Sequence, residues 1–281
     1  MPDLPPLPSS PHASDAKAIG ARPAGAADEP AAATAVREMF DAIAPHYDLL
    51  NHVLSCNIDR LWWRATARAC HAILARPEAS VLDICCGTGD MTLALLRHRP
   101  AGARPILAAD FAHQMLVRGS HKFAARYAGL RNQSAPGKAP SSPERPIAVA
   151  IEADALHLPL PDASVDLITT AFGFRNLANY REGLTEFFRV LAPKGKLAIL
   201  DFSEPGGLAG KLYAFYFRRV LPAIGSRISG VRGPYAYLPA SVERFPPPAE
   251  MLQLMRSVGF VEPSWTPYTF GIAGLYQAGK P

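Results

Sequence analysis

Residues 81–90 read VLDICCGTGD. The short apolar run from Val81 to Ile84 suits a buried strand, the glycine turn Gly87-Thr88-Gly89 follows it, and MTLALLRHR then has helical spacing. Strand, glycine turn and helix in that order mark a place where backbone approaches a ligand closely, because glycine admits unusual dihedrals and carries no side chain to hold the ligand off. Asp110 stands 21 residues beyond Gly89, at the end of the next strand-like run, ILAADF. A carboxylate there can accept both hydroxyls of a ribose. The ligand is therefore expected to contain a nucleoside, with Asp83, Gly87, Thr88, Gly89 and Asp110 around it. A dinucleotide is disfavoured, since in GTGDMT Thr92 occupies the place of the third glycine, which normally lets helix and strand close up beneath a pyrophosphate.

The same alternation continues downstream. HQMLVRGSHKFAARYA reads as a helix, AVAIEAD and SVDLITTAF as strands, EGLTEFFRVL as a helix and KLAILDF as a strand after the turn APKG. Strands alternating with helices imply right-handed crossovers and a mainly parallel sheet covered on both faces, with ligands at the carboxyl ends of the strands. Upstream, VREMFDAIAPHYDLLNHVL and DRLWWRATARACHAIL have helical spacing, interrupted by Pro45 and the polar SCNID. Residues 1–34 are rich in Pro and Ala without helical or strand period and read as a disordered tail. RNQSAPGKAPSSPERP reads as a mobile surface loop. The expected organisation is the tail and one domain over 35–281: helices over 35–78, a ligand-binding core over 79–203, and helices with final strands over 204–281.

Composition narrows the function classes. The 281 residues are 49% hydrophobic with a net charge of +5, and no dense Lys/Arg run follows a nucleic-acid backbone, so no nucleic-acid partner is expected. Cys56, Cys70, Cys85 and Cys86 form no CxxC pair and read as reduced thiols of a cytoplasmic protein. No run approaches the ~18 apolar residues of a membrane span, and the N-terminus lacks the apolar core of a signal peptide. Asp201 and Glu204 in DFSEP make a poor Mg²⁺ site without further ligands, and no metal is expected.

The form D-x-x-x-G-x-G followed by an acidic strand end is similar to the cofactor site of class I methyltransferases that use S-adenosylmethionine. FDAIAPHYDLLNHVLSCNIDRLWW, EADALHLPLPDASVDLITTAFGFRN, RVLAPKGKLAILDFSEP and PYAYLPASVERF resemble, more narrowly, the UbiE/MenG family of quinone C-methyltransferases, from about Val36 to the C-terminus. The resemblance implies a Rossmann-like α/β fold, a mainly parallel seven-stranded sheet with helices on both faces and an N-terminal helical cap. It implies methylation of a ring carbon in demethylmenaquinol or in the corresponding ubiquinone precursor, with naphthoquinone and benzoquinone left open; the alternatives are a small-molecule O- or N-methyltransferase on the same fold and a non-catalytic nucleoside-binding protein. It places Thr88 and the neighbouring glycines at the methionine portion of S-adenosylmethionine, Asp110 on its ribose, and Asp154 and Ala155 beside its adenine. Ala171 stands where some relatives have serine.

The chemistry gives the exit of SVDLITT, the stretch AFGFRN, a role. Methylating a hydroquinone carbon requires a ring hydroxyl near deprotonation, and an unperturbed phenol has a pKa of about 10. A guanidinium favours the phenolate by charge and directed hydrogen bonds, so Arg175 is expected to stabilise the oxyanion, Asn176 to orient the ring oxygen, and Tyr47, with His46, to close over the substrate. Arg244 resembles a position that closes the site. The expected partner is a polyprenylated quinol. KLYAFYFRRVLPAIG could line a tail groove or make a peripheral contact with the inner membrane face. Oligomeric state, a homodimer among the options, is not legible.

Overall fold

The computed structural model describes residues 20–23, 25–45, 47, 57–132, 147–203, 205 and 233–281. In chain order the helices are α1 (Glu29–Ile43), α2 (Asp59–Ala69), α3 (His71–Leu74), α4 (Asp90–Leu96), α5 (His113–Asn132), α6 (Tyr180–Val190), α7 (Gly233–Arg244) and α8 (Pro248–Val258). The strands are β1 (Val81–Ile84), β2 (Ile106–Asp110), β3 (Ala148–Glu152), β4 (Val165–Ala171), β5 (Leu191–Phe202), β6 (Val261–Tyr268) and β7 (Ala273–Gly279). They form one sheet in the order β3-β2-β1-β4-β5-β7-β6. β7 runs antiparallel to both β5 and β6, while the other pairings are parallel. This is the expected Rossmann-like α/β fold.

Each face of the sheet carries its own core. Side chains alternate across a strand, so Leu82, Ile84 and Ile168 join Phe174, Phe187 and Tyr276 on one side. Val81 and Leu167 join Leu95, Ile106, Leu200 and Leu275 on the other. β1 is buried throughout, which is why it reads as a continuous apolar run rather than an alternating one. Helix starts follow local chemistry: Asn179 caps α6 by accepting from the Glu182 amide at 3.1 Å. Gly259, with φ of 114°, ends α8.

Two expectations change. The chain is ordered well before residue 34, because Asp28 accepts from the Ala31 amide at 2.8 Å and Pro30 stands in the first turn of a helix that the following alanines favour. Ahead of that helix, Gly20 and Ala21 are buried, and the Ala21 amide donates to the Leu177 carbonyl at 2.7 Å. A Pro/Ala-rich composition here reflects a helix start, not a free tail. Secondly, the turn expected at APKG lies inside β5, which pairs with β4 through a register shift between Val165 and Leu167. Lys194 takes the left-handed conformation there, with φ of 63°. PYAYLPASVERF falls among the helices expected after residue 204, its helix running from Gly233 to Arg244 with Pro239 inside it. Residues 1–19, the Pro/Ser segment 133–146, KLYAFYFRRVLPAIG, His46 and Glu204 lie outside the described residues.

Candidate active site

Parallel strands β1 and β4 end side by side, with Asp83 opposite Thr169. Just past these ends, Cys85 and Phe172 both take positive φ, 55° and 59°. Left-handed backbone costs a residue with a side chain about 1–2 kcal/mol, and strain of this kind gathers where a site needs a particular shape. Gly173 is what lets the two exits meet: a Cβ there would lie 2.3 Å from the Cys85 Cβ. The first helix spans the same end of the sheet. Its Arg37 bonds to Glu152, the same carboxylate meets His113 at 2.9 Å, and Asp41 accepts from the Gln114 amide at 2.9 Å, capping α5 from outside.

Between these elements lies an open cleft, about 660 Å³ with its solvent-facing space included. Its wall follows the strand order: Asp154 and Ala155 beyond β3, Asp110 and Phe111 beyond β2, Cys85 and Gly87 beyond β1, and Phe172 and Asn176 beyond β4. Phe40 of α1 and Tyr47 close it from above, their rings edge to face at 6.1 Å.

Asp110 is the best-defined polar group on this wall. Its Oδ2 accepts from the Gly87 amide at 2.8 Å and its Oδ1 from the Ala112 amide at 2.9 Å. Gly87 has φ of 54°, which turns its N–H inward. Burial pushes the Asp110 carboxyl up to about 6, with the backbone amides pulling against it. Its own carbonyl accepts from the Ala153 amide at 2.9 Å, and Asp154 then accepts from the Leu156 amide at 2.9 Å, so the β2 and β3 exits are joined.

Three residues expected at the cofactor stand behind the wall instead. Asp83 has no exposed surface; Thr92 Oγ1 donates to it at 2.5 Å and Thr169 Oγ1 at 2.7 Å. It ties α4 and β4 to β1, and Thr92, standing where a dinucleotide fold has its third glycine, is one of the ties. Thr88 is buried, with Oγ1 accepting from Lys122 Nζ at 3.0 Å, and Lys122 also donates to Asp90 at 3.0 Å. Gly89, with φ of 84°, opens α4; a Cβ there would sit 2.5 Å from the Phe123 ring. These three shape the turn, while Gly87 presents it to the cleft.

Arg175 also departs from expectation. It is 5% exposed and does not line the cleft. Its Nη1 donates to Asp201 Oδ1 at 2.8 Å and to the Phe172 carbonyl, and its backbone amide donates to Asp201 Oδ2 at 3.0 Å. The guanidinium carbon lies 5.1 Å from the centroid of the Phe202 ring. Burial works against its charge, but Asp201 outweighs that and holds its pKa above the ordinary arginine value. Such a buried pair is nearly neutral from outside, and the polar side chain of this stretch that reaches the cleft is that of its neighbour. Asn176 is on the cleft wall, its Oδ1 accepting from Tyr237 Oη at 3.1 Å and its Nδ2 donating to the Phe172 carbonyl at 3.3 Å. Arg244 donates to the Arg22 carbonyl and so clasps the entry segment.

Sequence reasoning missed Asp201 as the partner of Arg175 and Tyr237 as the partner of Asn176. Asp201 carried a signal, an acid near the end of the strand beside the one that leads into AFGFRN. Tyr237 lies in the family-like stretch PYAYLPASVERF, but nothing local pairs it with Asn176, 61 residues away.

Comparison with known proteins agrees with this architecture. The model of the ubiE/COQ5 methyltransferase family matches residues 28–280. A demethylmenaquinone methyltransferase of Deinococcus radiodurans is 44% identical over 247 residues, 88% of this chain and 92% of the relative. One from Thermus thermophilus is 42% identical over 86% of this chain and all of its own length. A ubiquinone/menaquinone biosynthesis C-methyltransferase UbiE of Geobacter sulfurreducens is 40% identical over 87% of this chain and 88% of its own. Among solved structures, a SAM-dependent methyltransferase from Aquifex aeolicus is similar at TM-score 0.50 and 19% identity, covering 74% of this chain and 85% of its own. The [4+2]-cyclase SpnF reaches 0.59 at 16% identity over 94% and 98%. The last shows that the fold alone does not choose the chemistry.

Proposed function

The chain belongs to the ubiE/COQ5 methyltransferase family, and on that premise we propose that it methylates a ring carbon of a polyprenylated demethylmenaquinol with S-adenosylmethionine, a step of menaquinone biosynthesis. The ubiquinone precursor is the second reading, favoured by the relatives described as acting in both pathways. The observation that carries the proposal is that one cleft is lined both by Asp110 and Gly87 and by Tyr47, Phe172 and Asn176.

The residues present fit the cofactor. Asp110 is a nearly buried carboxylate whose oxygens retain acceptor capacity beyond one amide each, and ribose hydroxyls would use it. Phe111 and Met115 offer apolar surface to a purine beside Asp154 and Ala155. S-adenosylmethionine, when bound, supplies an electrophilic methyl group on a cationic sulfur.

The chain's own residues then prepare the quinol. Asn176 is fixed through both ends of its amide, so it meets a ring oxygen in one orientation without reorganising. Phe172, held in its strained conformation on the strand-exit wall, and Tyr47 above it give a flat ring apolar surface within one cleft. Hydrogen-bond donation to the phenolate form lowers the phenol pKa from about 10. The Arg175–Asp201 pair anchors the 3₁₀ turn Phe174–Asn176 to the end of β5 and so positions Asn176.

The test is methyl transfer from labelled S-adenosylmethionine to short-tailed demethylmenaquinol and benzoquinol, with reductant and without. A new methyl carbon on the naphthoquinol ring, formed only under reducing conditions, is expected. A methyl group on oxygen, or equal turnover of the oxidised quinone, would overturn the reading.

A further inference from the structure

One corner of the molecule, outside the cleft residues, combines exposed apolar and basic side chains. Phe270 is 87% exposed, at the tip of the 3₁₀ turn Thr269–Gly271. The turn is strained, with φ of 45° at Thr269 and 57° at Phe270, yet it is firmly held. Thr269 Oγ1 accepts from Trp62 Nε1 at 2.8 Å, and Ser203 Oγ donates to the Gly271 carbonyl at 2.6 Å. Next to Trp62, Leu61 is 59% exposed, and Arg60 and Arg64 lie exposed on the same helix. Asp59, the acid in α2, is buried, while the two arginine side chains are exposed.

The corner lies at the same end of the sheet as the site. β7 starts at Ala273 opposite Phe202, the last residue of β5, so the turn before it sits at the carboxyl end of the sheet. The Trp62 ring, bonded to that turn, is 5.8 Å from the Phe172 ring that lines the cleft. A rigid, strained mount that keeps a phenylalanine in water needs a reason, because burying the ring would be favourable.

We infer that this corner docks on an anionic lipid bilayer, with Phe270 and Leu61 entering the boundary between headgroups and acyl chains and with Arg60 and Arg64 meeting lipid phosphates. Two apolar side chains are far short of a stable protein–protein interface, which buries about 1,200–2,000 Å². Two flanking cations and a net charge of +5 favour an anionic surface over a second copy of this chain. The inference draws on the quinol reading only in that a prenylated substrate resides in the bilayer.

Sedimentation of the full chain with vesicles tests it, using phosphatidylcholine alone and phosphatidylcholine mixed with phosphatidylglycerol. Binding to the anionic vesicles is expected. It should fall about tenfold or more in Phe270→Ser, from the lost apolar wedge, and in Arg60→Gln/Arg64→Gln, from the lost attraction to lipid charge. Melting temperature and turnover of a short-tailed quinol should stay near those of the parent. No vesicle binding, binding indifferent to both variants, or a dilution-dependent dimer abolished by Phe270→Ser would overturn the inference. If vesicle binding follows the expected pattern while no quinol is methylated, the docking surface stands and the substrate reading fails.

Discussion

Asp110 is a carboxylate kept where water scarcely reaches it, and that makes its ligand binding dependent on pH. In the folded, ligand-free chain its pKa is about 6 against an ordinary 3.8, so it holds its proton at pH values where an unfolded chain has released it. The ionised form therefore costs folding stability as pH rises from about 4 to 6. A carboxylate accepting two ribose hydroxyls must be ionised, so S-adenosylhomocysteine affinity should fall as pH drops below about 6 and level off above it. Asp110→Asn should flatten that profile and weaken binding by about 1.5–3 kcal/mol at neutral pH. Calorimetry across pH checks both, and an unchanged profile in a folded variant would remove Asp110 from the ribose. Asn176 and Arg175 should separate in a similar comparison. Asn176→Ala should lower turnover by roughly ten- to a thousandfold with S-adenosylhomocysteine affinity nearly unchanged. Arg175→Ala strands a fully buried Asp201 and should cost about 3–5 kcal/mol of stability. Adding Asp201→Ala should recover part of that loss in a double-mutant cycle read by thermal melts. Additive losses would mean that the pair is not coupled.

At the scale of elements, α1 and the strand exits together make the cleft. Deletion of residues 1–43 removes Phe40 and the anchor of Tyr47, along with the Arg37 and Asp41 contacts to the β3 exit and α5. It should weaken S-adenosylhomocysteine by about tenfold or more, the effect of losing one side of a burying pocket, and should slow quinol turnover further. Equal affinity by calorimetry would show that α1 is only a neighbour. The first turns of this helix, from Glu29, fall in the stretch up to residue 34 that composition assigned to a tail, because Ala-rich sequence after Asp28 and Pro30 is helix-forming even where Pro and Ala dominate the count. The Gly87 turn and the Gly173 turn act at this scale too. One frees an amide for Asp110, and the other lets β1 and β4 exits touch.

Across the whole molecule, two cores pack against one sheet while the site occupies its carboxyl edge, so stability and ligand binding are separable by position. Phe187 is fully buried in the core that holds Phe174 and Tyr276. Phe187→Ala should cost about 3–5 kcal/mol and lower the melting temperature, with cofactor affinity preserved well below the transition. A loss of affinity that equals the loss of stability would show that the core reaches the cleft directly. Phe270 is the converse case, an exposed ring whose replacement should leave the fold untouched.

What the sequence determined by itself was whatever local chemistry encodes. The apolar VLDI run dictates a buried strand, Gly87 and Gly89 dictate a turn with positive φ, and Asp110 at the end of ILAAD falls at the next strand exit. Family-like stretches such as AFGFRN brought Tyr47, Asn176 and Asp110 into one expectation, and the cleft does bring these three together. The tertiary structure decided which side of the wall each residue takes. Asp83 and Thr88 lie within five residues of each other around Gly87, yet their side chains are claimed by Thr92, Thr169 and Lys122, groups that the packing of two helices and a neighbouring strand delivers. Arg175 and Asn176 are adjacent in sequence, but a buried charge must be paired, so Asp201 takes the arginine inward while the neutral amide remains at the cleft. Local pattern specifies a strand exit; the cost of desolvating each polar group, settled only when the elements pack, specifies which of its residues a ligand can meet.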